Sequence, residues 1–205
     1  MPESAEEVYA RVVAAVGEDG RLPMPPVGEW DIFPWEMVDG ELKPKVLQAP
    51  GDEPVRWGEA PDKPCGACSA DHEHLRIWAN ERWYVTRGEK PTGLPLLLWL
   101  HPVEHVDLTD LSDAMAAEQG VISTRLARIM SHLPNIGRVH VCRWGDGGSH
   151  LHWWFIARTA RLPQILGSMA VEWDEMLPPV PVDVWEADYR EVARRLATHD
   201  GRALV

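Results

Sequence analysis

Hydrophobic side chains recur along this chain with two different periods. They alternate in "RIWANERWYVTR" (residues 76–87), "LPLLLWLHP" (94–102), "RVHVCRW" (138–144) and "SHLHWWFIAR" (149–158), the spacing that puts every second side chain of a strand on one face. The turn-forming "GEKPTG" (88–93) joins the first two runs and "GDGG" (145–148) the last two, so the pattern predicts two hairpins. Helical spacing appears in four other stretches. Residues 3–16 carry it behind an acidic first turn, ending at Gly17. Residues 107–133 form the longest one, with Thr109 or Ser112 as cap, Ala116, Ile122, Leu126, Ile129 and Leu133 inward, and Gly120 as a tolerated weak point. Residues 164–179 and 182–201 predict two C-terminal helices, the second turning Val184, Ala187, Val192 and Leu196 to the core.

Strands flanking one long helix predict an α+β fold: an antiparallel sheet packed by that helix, followed by C-terminal helices. The stretch from Arg21 to Pro64 is rich in Pro, Gly and charge and predicts an extended wrap with at most short strands, around "WDIFPWEMVDG" (30–40) and "LKPKVLQ" (42–48). The chain therefore divides into an N-terminal helix and wrap, 1–64, and a main domain, 65–205, within one compact unit. A length of 205 residues, 45% of them hydrophobic, suits a single core.

The formal charge of -12 argues against a surface for a nucleic acid polymer, because such surfaces cluster Lys and Arg. An anionic ligand then needs a local site. Three cysteines and no basic-then-apolar leader suggest neither a disulfide framework nor secretion, so a cytoplasmic location is expected. The longest apolar run is too short for a bilayer, and no membrane association is expected. The eleven tryptophans, scattered along the chain, read as core and loop anchors.

Two constellations carry chemistry. In residues 149–158, His150, His152, Trp154 and Ile156 share one face while Leu151, Trp153, Phe155 and Ala157 form a core face, so two imidazoles open onto a surface just after a glycine turn. The other is "CGAC", Cys65 and Cys68. A redox pair expects a strand before it and a helix after it, whereas "APDKP" precedes and "SADHEH" follows, which favours zinc over redox chemistry. Two histidine nitrogens would complete the site, drawn from His72 and His74 nearby or from His101, His105 and His150 farther on. His140 and Cys142 alternate on the neighbouring strand and read as core filling. Arg143 and Arg158, near the glycine turn and at the strand end, offer positive charge to an anion, and the backbone of Gly147 and Gly148 with Ser149 offers it a cradle.

The string "HLHWWFIAR" (150–158) resembles the signature of the histidine-triad (HIT) superfamily, His-φ-His-φ-His-φ-φ. The likeness extends to "LLLWLHPVEHVDLTDLS" (96–112), which is similar to the family's strand ending in Pro-x-x-His before the long helix, and to "CGAC", placed where zinc-containing members such as the hexose-1-phosphate uridylyltransferases carry a CxxC. It spans residues 65–158. The resemblance implies zinc on Cys65, Cys68, His105 and His150, and a nucleophilic histidine at His152 that takes a nucleotidyl group as a covalent phosphohistidine, in a hydrolase or nucleotidyltransferase acting on a small nucleotide-like anion. It also implies a homodimer. The third triad position is Trp154, which has no proton to shuttle. A catalytically reduced binding protein that keeps fold and zinc is the alternative. The place of the family's ribose-binding aspartate reads "RGEKP", with Gly88 near it and Glu89 beside it.

Overall fold

The computed structural model describes residues 3–24 and 33–205, so part of the strand expected in "WDIFPWEMVDG" lies outside the described residues. Helix α1 is Ala5–Ala14, closed by a capping box in which Ser4 accepts from the Glu7 amide and Glu7 accepts from the Ser4 amide. Strands β1 (Trp35–Val38) and β2 (Glu41–Pro44) make a separate two-stranded hairpin. The main sheet contains β3 (Arg76–Ala79), β4 (Trp83–Arg87), β5 (Leu96–Pro102), β6 (Ile136–Cys142), β7 (Trp153–Thr159) and β8 (Arg202–Ala203), in the order β6-β7-β5-β4-β3-β8 and antiparallel throughout.

Alternation decides which face is which. In β5, Leu96, Leu98 and Leu100 are fully buried against helices α2 (Asp113–Ser131) and α4 (Val182–Ala197), while Trp99 and His101 turn to the opposite face. Leu151, Phe155 and Ala157 of the β7 segment join the helix-covered core. Each large side chain so buried stabilises the fold by roughly 1.5–3 kcal/mol. The other face carries a smaller cluster, Leu94, Ile156, Ile165, Ala170 and Leu177, and beside it lie the histidines. Both long helices thus sit on one side, which leaves the histidine face free to form a site.

Several local expectations are corrected. The run 76–87 is two strands, because the Asn80 side chain accepts from the amides of Arg82 (3.0 Å) and Trp83 (2.7 Å) and closes a tight turn within it. Residues 143–152 form a wide loop between β6 and β7, and His150 and His152 precede β7 in extended backbone. Only a 3-10 turn at Gly167–Ala170 and one helical turn, α3 (Trp173–Met176), form in 164–179. Ala116 and Ala187 are exposed. Met115 packs inward in place of the first, and the inward stripe of α4 runs through Trp185, Asp188, Tyr189, Val192 and Leu196. Ser112 is the cap of α2.

Asp188 gives the first test. Burial alone pushes its carboxyl up to about 6. The folded protein therefore holds a proton that the unfolded chain has released between about pH 4 and pH 6; stability falls as pH rises through that window, and the cost is complete above it. Asp188→Asn is expected to raise the unfolding free energy by about 1–2 kcal/mol at pH 8 and to give little at pH 4, as read by urea denaturation at both values.

Candidate functional site

Four ligand-capable side chains converge from three parts of the chain. Cys65 caps and Cys68 ends a 3-10 turn at Gly66–Cys68, His105 follows β5, and His150 lies in the loop before β7. One ligand atom from each falls within 4.8 Å of all the others. Cys65 Sγ is 3.5 Å and Cys68 Sγ 3.3 Å from His150 Nδ1, and Cys68 Sγ is 3.4 Å from His105 Nδ1. Zn–S bonds near 2.3 Å and Zn–N bonds near 2.05 Å at tetrahedral angles require S···N edges of about 3.5 Å, so the donor set fits such an ion.

The outer hydrogen bonds select the tautomers that a metal needs. His150 Nε2 donates to the Pro102 carbonyl (2.9 Å), which leaves Nδ1 with its lone pair facing the thiols. His105 Nε2 donates to Ser149 Oγ (3.2 Å), which in turn donates to the Trp57 carbonyl (3.2 Å), and again Nδ1 is left free. Burial lowers the His150 pKa, against the pull of its bond to the Pro102 carbonyl. Burial and the neighbouring Cys65 push the Cys68 thiol up to about 11 without a metal.

Gly58 closes this cage from the N-terminal segment. Its φ is +97°, and a Cβ there would come within 2.7 Å of both His105 Cε1 and Ser149 Oγ and 3.3 Å of Cys65 Cβ. Gly58→Ala is therefore expected to weaken metal binding by about 10- to 100-fold, measured by chelator competition, while the circular dichroism of the sheet persists.

His152 stands on the neighbouring side of the same loop. Its Nδ1 lies 2.9 Å from the His150 carbonyl, and since a carbonyl only accepts, Nδ1 carries the proton and Nε2 the lone pair. The ring lines an open cleft of about 440 Å³ together with His72, Arg76, Tyr84, Trp99 and His101. His101, stacked on Tyr84 at 4.9 Å, lies 6.3 Å from His152 between ring centroids. Burial first, then the His150 and His152 rings, push it down to about 3, so it is neutral.

The remaining expected site residues scatter. Trp154 does not line the cleft; its indole packs edge-on between Trp99 (4.9 Å) and Trp144 (5.2 Å), with Nε1 buried and unpartnered. Ser149 is committed, its amide donating to Trp57 O (3.0 Å) and its hydroxyl bridging His105 and Trp57, so it cannot cradle an anion as expected. Gly147 accepts from the Trp57 amide (3.0 Å), and with Gly148 lines a groove beside Cys65 and His72. Arg143 pairs with Asp107, which also binds Arg56 at 2.7 Å. Arg158, at the other end of β7, donates to Leu162 O at 3.3 Å. His72 and His74 bond to backbone carbonyls of Gly66 (2.8 Å) and Asp71 (2.7 Å), outside the four-ligand cluster. His140 and Cys142 line a separate groove with Trp144 and Ile156 rather than lying wholly in the core. Sequence reasoning missed Trp57, Gly58 and the Pro102 carbonyl, which support the cage. It also missed Arg76 and Tyr84 in the cleft.

No protein-family model matches this chain, and no curated protein matches it. Solved structures similar to it include a histidine triad protein from Marinobacter aquaeolei (17% identity, 65% of this chain and 96% of that one, TM-score 0.49). Another is a histidine triad protein from Bradyrhizobium japonicum (17%, 62% and 96%, 0.48). A Zn-bound histidine triad family protein from Mycobacterium smegmatis is also similar (20%, 61% and 85%, 0.41). Among the described residues, no helix is long and apolar enough to cross a membrane.

Proposed function

We propose that this chain is a HIT-superfamily enzyme that cleaves or transfers a nucleotidyl or related phosphoryl group through a covalent phosphohistidine at His152, on a domain stabilised by zinc at Cys65, Cys68, His105 and His150. The observation that carries the reading is the Nδ1–H bond from His152 to the carbonyl of His150, itself a residue of the cage, because it presents the Nε2 lone pair to the cleft in a fixed orientation. Zinc with two thiolates and two imidazoles forms a closed, neutral, structural site. His152 Nε2 attacks phosphorus, the bond to the leaving oxygen breaks, and water or a second phosphate then takes the group from the histidine. The second reading, a binding protein without turnover, draws on Trp154, whose walled-in indole offers the leaving group no proton.

The experiment is incubation of the protein with dinucleoside polyphosphates, nucleoside phosphoramidates and nucleotide sugars, following product release and intact mass. A nucleotidyl adduct or turnover that requires His152 supports the enzyme; binding with neither moves the assignment to the binding protein.

A further inference from the structure

The cleft carries a cation that the proposed phosphoryl transfer does not use. Arg76 opens β3, and its guanidinium carbon lies 4.3 Å over the ring of Tyr84. That ring is rigidly held: it is buried, its hydroxyl donates to the Ala67 carbonyl (3.1 Å), and its far face stacks on His101 with an interplanar angle of 12°. The ring fixes the position of the cation, and a guanidinium, with five N–H donors, can be held at one edge and still fork onto a phosphate or carboxylate with another. Its ion-pair partner among the described residues, Glu73, stands at 3.7 Å, past hydrogen-bond length, with 64% of its side chain exposed to competing water.

The other charges around the cleft sharpen the point. Arg87 is committed, with its guanidinium over Trp185 and Tyr189 at 5.0 Å and a donor on Gly88 O at 2.7 Å. Glu89 is the carboxylate among the lining residues. On a chain of net charge -12, Arg76 makes this a local cationic spot, and cation and histidine are separated by an aromatic floor of Tyr84, His101 and Trp99. Such a floor suits a flat ring with an anionic group at each end.

We infer that Arg76 is a specificity-determining residue that binds a second anionic group of the substrate, set apart from the phosphoryl group that His152 attacks. The inference rests on the proposed nucleotide chemistry and narrows it: the substrate class is a phosphorylated nucleoside bearing a further phosphate or carboxylate, in preference to a plain nucleoside monophosphate.

Calorimetric titration of the metal-loaded protein with AMP and with adenosine 2′,5′- and 3′,5′-bisphosphate tests it. The wild type is expected to bind at least one bisphosphate about tenfold or more tightly than AMP, the scale of a charge-assisted bond. Arg76→Gln should reduce that preference to about twofold or less, and Arg76→Lys should keep part of it, while metal content stays unchanged in both. AMP binding without a bisphosphate preference overturns the inference alone, as does a preference that survives Arg76→Gln. Loss of metal from Arg76→Gln overturns it too, by assigning the guanidinium to support of the thiolates. Failure of AMP and both bisphosphates to bind the wild type overturns it together with the nucleotide reading of the cleft.

Discussion

Cys68→Ser is expected to release the proposed zinc and lower the melting temperature by about 8–16 °C, and a chelator should do the same to the wild type. The magnitude follows from linkage. A metal held at a thousandfold above its dissociation constant stabilises the native state by about 4 kcal/mol, and each kcal/mol moves the midpoint of a domain of this size by about 2–4 °C. The cage ties the Cys65–Cys68 turn, the loop after β5 and the loop before β7 to one point, so its loss frees three segments at once. The core between the sheet and helices α2 and α4 contains none of the four ligands, and secondary structure is therefore expected to survive metal loss. The pH dependence has a definite sign. With the Cys68 thiol pushed up to about 11 in the metal-free chain, loading must displace its proton, which alone lowers the apparent affinity about tenfold for each pH unit lowered through the neutral range, and the second thiolate of the site steepens that fall. Differential scanning calorimetry with and without chelator, and metal competition at two pH values, check both statements. An unchanged midpoint after complete metal removal would rule out a structural role.

The elements that the sequence made legible are those in which one signal spans many residues. The period of Ile122, Leu126, Ile129 and Leu133 marked α2, and strict alternation marked β5, because each faces a continuous core layer. The four ligands lie in the order and spacing of the motifs they resemble, and the structure brings them together. What was not legible depended on single polar atoms or on contacts between distant segments. The Asn80 side chain cuts a strand-like run in two without interrupting its hydrophobic pattern. Residues 164–179 have helical spacing, yet Gly167 takes φ +60° and the chain breaks there. Trp57 and Gly58 look like ordinary residues of a Pro-rich segment; only their approach to Ser149 and His105 reveals that this segment completes the cage. Arg76 and Tyr84 are illegible for a similar reason, since a cation over a ring on the neighbouring strand has no signature along either strand.

His152→Ala should abolish formation of the covalent adduct and reduce turnover by at least about 10³-fold, a loss of roughly 4 kcal/mol of transition-state stabilisation. The effect should be confined to chemistry. His152 contributes one hydrogen bond to its own loop, whereas His150, two residues earlier, carries a bond to Pro102 and a place in the cage; metal content and melting temperature of His152→Ala should therefore match the wild type. His150→Ala should lose the metal and destabilise the fold. The two variants thus separate histidines that one sequence motif places side by side. Trp154 supplies the complementary measurement. Because its indole is wedged between Trp99 and Trp144 with Nε1 buried and the residue absent from the cleft lining, Trp154→Phe should keep the wall and leave turnover within about threefold, a difference of under 1 kcal/mol. A loss from Trp154→Phe comparable to that from His152→Ala would place the indole N–H in the reaction itself. Turnover insensitive to His152 would instead place the nucleophile elsewhere, and binding without turnover in either protein would favour the binding-protein reading.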